Sequence, residues 1–194
     1  DKVSNSSSSN LTEDEVGSGL KEALNKGIEK GVSQLSKADG YFKDPQIKIP
    51  LPEEAKEVES KLRSIGQGAQ VDQAIESINR AAEDAASGAK DIFVNAIKSM
   101  TISDAMNLLR GDDDAATKFL EKSTRSALVE KFKPVIEVSL EKVGATKHWN
   151  TIFTTYNKIP FVKKVNPDLV DYATDKALDG LFIQIAKEEL NIRK

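Results

Sequence analysis

No proline interrupts the chain between Pro52 and Pro134, and within that stretch Ile75, Ile78, Ala82, Ala85, Ala89, Ile92 and Ala96 recur at alternating steps of three and four. Such spacing lays one apolar stripe along an α-helix, and strands, which alternate with period two, have no counterpart of it. The expectation is all-α: a single irregular helical bundle of about six or seven helices, with one long central helix over residues 70–100.

Composition narrows the class further. A chain of 194 residues, 39% hydrophobic and 30% charged, suits one folded domain with a core of its own. The net charge of −3 argues against a general nucleic-acid binder, which carries excess positive charge. No run approaches the roughly 20 apolar residues that span a bilayer, so no transmembrane segment is expected. Cysteine is absent and His148 is the single histidine. That excludes disulfides, thiolate nucleophiles, Cys-ligated zinc and a two-histidine metal site within one chain. Neither a phosphate-binding glycine loop, a nucleophile elbow nor an HExxH motif occurs. No catalytic residue and no cofactor is therefore expected.

Residues 1–11 open with the Ser/Asn-rich run DKVSNSSSSN, which has too little apolar surface to fold and reads as a flexible leader; residues 12–194 read as one helical domain. A solvated tether ahead of a folded domain is what a removed signal peptide leaves. The expected location is periplasmic or envelope-associated, and a lipoprotein is one form such export takes.

Helix boundaries follow from caps and breakers. Thr12 and Glu15 have capping-box spacing and open a helix to about Lys37, in which Gly27 and Gly31 allow close approach of a neighbour. Residues 38–51 read as a loop, Pro52 opens a short helix stopped at Gly66, and Thr101 with Asp104 opens another. Asp112, Asp113 and Asp114 complement the start of a helix through Phe119, Leu120, Ala127 and Phe132, which Pro134 should kink or restart. Thr146 reads as the cap of an aromatic helix carrying Trp149, Ile152, Phe153 and Tyr156. Asn166-Pro167 reads as the cap of a final helix with a core stripe of Ala173, Ala177, Leu181, Phe182 and Ile185.

Five phrases occur in a fixed order: IPLP at 49–52, NRAAE at 79–83, MTISDAMNLLRGDDDAAT at 100–117, YATDKALDGLF at 172–182, and the Glu188-Glu189 to Ile192-Arg193 ending. As a set they resemble the bacterial family known only as domain of unknown function 4197, over about residues 19–193. The resemblance implies an exported, all-helical protein of Gram-negative bacteria, with no reaction, cofactor or catalytic residue to carry over. It also implies a further short tail after the position of Arg193.

Two constellations remain as candidate sites. Between positions 142 and 165 there are five lysines and no acid, with aromatics interleaved: Lys147, Trp149, Lys158, Phe161, Lys163 and Lys164 form a candidate contact surface. Lysines beside rings suit an anionic membrane surface, a polyanion or an acidic envelope protein; a core-facing aromatic stripe with solvated lysines is the other reading. Asn79, Arg80 and Glu83, beside the alanine seam, form a candidate polar cavity cluster, or else buried hydrogen-bonded pairs that fix helix register. Asp171, Asp175 and Asp179 at successive four-residue steps call for a counter-ion, with an arginine from a neighbouring helix preferred to a metal. The readings are thus a non-catalytic envelope interaction module, a small-ligand or lipid carrier, and, more distantly, a carboxylate-based hydrolase.

Overall fold

A computed structural model describes residues 12–194; the expected leader, 1–11, lies outside them. The described residues form eight α-helices and one 3₁₀ turn, with no strand. These are α1 (Glu13–Ser36), the 3₁₀ turn (Glu53–Ala55), α2 (Lys56–Ser64), α3 (Gly68–Ala86), α4 (Ala89–Lys98), α5 (Ile102–Leu109), α6 (Ala115–Lys142), α7 (Ala145–Tyr156) and α8 (Leu169–Arg193). All-α packing is as the apolar periodicity predicts.

The long central helix is α6, not the expected 70–100 segment. That segment breaks at Ser87-Gly88 into α3 and α4, a Ser/Gly pair being a common site of a helix kink. In α6 the buried residues Ala116, Leu120, Thr124, Leu128, Phe132, Ile136 and Leu140 follow one another at steps of four. Each step overshoots a full turn by about 40°, so the buried stripe winds round the helix. The helix packs on α8, α3, α4 and α7. Ala127 lies off the stripe and is exposed. Pro134 does not end the helix: it and Glu130, whose carbonyl it leaves unbonded, are both exposed, so water can satisfy that carbonyl.

Helix α1 opens with the Thr12–Glu15 capping box and packs on α8, α4, α5 and α3. Gly27 and Gly31 are buried against α8, where a Cβ would stand 2.9 Å from Ile192 Cδ1 and 3.3 Å from Glu188 Cγ respectively. The helices meet there because neither position carries a side chain. The α8 stripe of Ala173, Ala177, Leu181, Phe182 and Ile185 is buried throughout, and Phe182 meets Phe93 of α4 edge-on, with ring centroids 5.8 Å apart.

Three caps differ from expectation. Asp114 makes no side-chain cap to α6; the Glu189 carboxylate of α8 accepts from Ala116 and Thr117 N–H instead. Gly144, in a left-handed conformation, precedes α7, and Thr146 sits inside that helix. Asp168 caps α8 by accepting from Asp171 N–H, while Asn166 braces the turn through Asp168 N–H and the Asp171 carboxylate.

Candidate functional site

The polar trio on α3 clips a loop in place. Asn79 is fully buried; its Oδ1 accepts from Ile49 N–H at 2.8 Å and its Nδ2 donates to Ile49 O at 2.9 Å, so one side chain satisfies the backbone of an extended residue as a sheet neighbour would. One turn on, buried Glu83 accepts from the backbone N–H groups of Asp39, Tyr41 and Phe42 at 3.0–3.1 Å. Arg80 donates to Glu83 at 2.9 Å and also pairs with Asp39 and Glu76. The Arg80 guanidinium beside Asp39 holds that carboxyl below its ordinary range. The loop so held buries Tyr41, Ile47 and Ile49, and the Tyr41 hydroxyl donates to Ala177 O of α8 at 2.7 Å. Asn79 and Glu83 are spent on this scaffold and are not free for a ligand.

The lysine–aromatic segment divides in two. Trp149 and Phe153 belong to the core, 5% and 4% exposed, with the indole N–H donating to Asn166 O and the ring stacked on Tyr172. Trp149 is therefore not on the contact surface; helical spacing turned it inward. The rest of the segment is outside. Lys147, Lys158, Lys163 and Lys164 are exposed, and the loop after α7 projects Phe161 wholly into solvent, at 107% relative exposure and with φ +65°. Ile159 beside it is 51% exposed.

That loop is closed at its base. Asn157 donates from Nδ2 to Val165 O at 2.6 Å and accepts from Val165 N–H at 2.7 Å, the same two-handed bond that Asn79 makes to Ile49. Residues 158–164 thus form a compact Ω-type projection with a pinned neck. An ion pair links it to the 3₁₀ turn, Lys163 to Glu54 at 3.9 Å.

A cleft of about 850 Å³ opens between two helical walls. Val58 and Leu62 of α2 with Val71, Ala74 and Ile78 of α3 make one wall; Val143, Ala145, Trp149, Ile152 and Phe153 make the other. Of the polar trio only Arg80 lines it, together with Glu59, Glu76, Asp84, Lys142 and His148. The cleft has no signal in the sequence because its walls come from segments some seventy residues apart, each of which reads as ordinary amphipathic helix.

The acid ladder on α8 is met by Arg125 of α6, 3.0 Å from Asp179 and 3.9 Å from Asp175. Asp171 instead accepts from the Asn166 side-chain amide at 2.8 Å. Among the described residues, no helix is long and apolar enough to cross a membrane.

No curated protein and no solved structure matches this chain. A family model described as "Protein of unknown function (DUF4197)" matches residues 10–194. The phrases at 49–52, 79–83 and 172–182 fall where the Asn79 and Glu83 clips hold the loop and where Ala177 O of α8 accepts from the Tyr41 hydroxyl. With nearly its whole length matched, the chain belongs to the DUF4197 family.

Proposed function

We propose that the protein is a non-catalytic interaction module of the bacterial envelope that docks on an anionic membrane surface through loop 158–164. Phe161 carries this reading. A bulky residue at positive φ is an outlier, at a cost of roughly 1–2 kcal/mol, and this one also leaves its whole ring in water. Backbone strain held in a pinned loop points to use of the side chain it displays. The tip offers Ile159, Pro160, Phe161 and Val162, and Lys158, Lys163 and Lys164 flank it without an acid. Rings seat at the headgroup level, lysines meet lipid phosphates, and each lysine near an anionic leaflet contributes about 1 kcal/mol.

The test is sedimentation with phosphatidylcholine vesicles, with and without phosphatidylglycerol, at low and raised salt. Binding is expected only with the anionic lipid, weakening as salt screens the lysines. Lys163→Glu with Lys164→Glu should lower partition at least about thirtyfold, some 2 kcal/mol, and Phe161→Asp separately about tenfold. These side chains are exposed, so the fold should be retained. Equal sedimentation of wild type and variants would remove the proposal.

A further inference from the structure

We infer that the cleft between α2–α3 and α6–α7 receives loop 158–164 of a second copy of this chain, and that two copies exchange these loops reciprocally. Protein interiors are packed so that voids seldom exceed a water molecule. A space of about 850 Å³ is therefore a receptor-sized feature and no packing defect. Helix α2 buries none of its own residues, yet Val58 and Leu62 line the cleft, and Val143 and Ile152 opposite them are 60% and 41% exposed. The chain also carries the counterpart. Ile159 and Phe161 stand in solvent on a neck that Asn157 pins, and none of residues 158–164 lines the cleft of its own chain. An apolar knob and an unfilled apolar cleft on one molecule complement each other between copies.

Charge points the same way. Lys158, Lys163 and Lys164 flank the tip without an acid. The cleft lining carries three carboxylates, Glu59, Glu76 and Asp84, against two cations, Arg80 and Lys142. All three carboxylates stand on the α2–α3 wall, where Arg80 is already shared among Asp39, Glu76 and Glu83. Asp84 accepts from the Ser139 hydroxyl at 3.0 Å and forms no ion pair among the described residues. Lys142 lies on the opposite wall, so incoming lysines are directed to the acidic one.

One loop alone is small beside the ~800 Å² per partner of a stable interface. Phe153, on the cleft wall, is one turn of α7 ahead of the neck residue Asn157, and Lys163 reaches Glu54 of the turn that leads into α2. Knob and cleft thus share one side of the molecule, where a twofold axis lets each copy give its loop and receive the other's, doubling the buried surface. The contact rests on Phe161 being a displayed side chain and needs no lipid. A loop seated in a second copy is withdrawn from the membrane, so the dimer is the form that does not dock.

Sedimentation velocity of the full chain without lipid should show monomer passing to dimer as concentration rises. Phe161→Asp, and separately Ala74→Phe, which fills the cleft, should each weaken the dimer at least about tenfold. Asp84→Lys, a charge reversal on the exposed rim, should weaken it several-fold. Circular dichroism checks that each variant folds; should Ala74→Phe not fold, Val143→Asp, at a side chain 60% exposed, serves in its place. Trp149 lines the cleft and is the chain's one tryptophan, so its fluorescence reports what enters. A nitroxide on Ile159→Cys, in a chain that also carries Trp149→Phe, should quench Trp149 of added wild type saturably and leave that of Ala74→Phe unquenched. Vesicle binding by Ala74→Phe should be no weaker than by wild type, which separates this contact from membrane docking. A monomer at every concentration, or a dimer unchanged by Phe161→Asp and Ala74→Phe, would overturn the exchange. So would a mixed dimer of labelled and unlabelled chains in which Trp149 is not quenched.

Discussion

The Glu189 carboxylate of α8 accepts both the backbone N–H and the hydroxyl of Thr117, at 2.8 and 2.7 Å, and so caps α6 from another helix. Ala116 N–H reaches its other oxygen at 2.8 Å, and Arg193 one turn later balances the charge. The side chain is only 2% exposed, so these bonds are shielded from competing water. Glu189→Gln puts an amide donor against helix N–H groups. It should cost about 3 kcal/mol, read as a lower urea midpoint, with faster amide exchange in the first turn of α6.

Glu83 does for loop 37–52 what Glu189 does for α6. Glu83→Gln keeps the shape of the side chain but removes the charge that three backbone N–H groups and Arg80 converge on. Hydrogen exchange at Asp39, Tyr41 and Phe42 should speed up together, while the amides of α6 keep their protection. Uniform acceleration over the whole chain would show instead that the loop opens only on global unfolding.

Alkaline pH should destabilise the fold through two tyrosines. Burial first, and then the Glu83 charge, raise the Tyr41 hydroxyl above its ordinary value of 10.0. Burial, and then Glu54, do the same for Tyr172, whose hydroxyl donates to Pro50 O. Above pH 10 the unfolded chain releases these protons while the folded chain keeps them, so the unfolded state binds fewer protons and stability falls as pH rises. Below that range the contribution is constant. Tyr41→Phe should cost about 1 kcal/mol at neutral pH through its lost bond to Ala177 O. It should also make urea midpoints fall less steeply than in wild type between pH 9.5 and 11.

Those buried carboxylates mark the limit of what the sequence discloses. Local signals were legible: the Thr12–Glu15 capping box, the α8 stripe, the close approach at Gly27 and Gly31, and the need of Asp175 and Asp179 for an arginine all appear in the structure. Each depends on residues within a turn or two, or on one helix face. Interactions between distant segments were not legible. Glu189 caps a helix more than seventy positions away, while Asp114, at the N-cap position of α6, makes no side-chain cap bond to it. Asn79 and Glu83 stood out as buried polar groups, but only the path of loop 37–52 gives them partners. At the lysine–aromatic segment, helical spacing alone could not separate Trp149, turned inward by α7, from Phe161, which lies past the end of that helix.

The most direct test of membrane docking uses the absence of cysteine from the chain. Ile159→Cys, at a side chain 51% exposed, allows one polarity-sensitive fluorophore to be attached at the loop tip while Phe161 stays in place. Asn107→Cys on α5 serves as an exposed control. Addition of phosphatidylglycerol vesicles should shift the emission of the loop label to the blue and leave the control unchanged, with no shift on phosphatidylcholine alone. Identical spectra at position 159 with and without anionic vesicles would contradict the account.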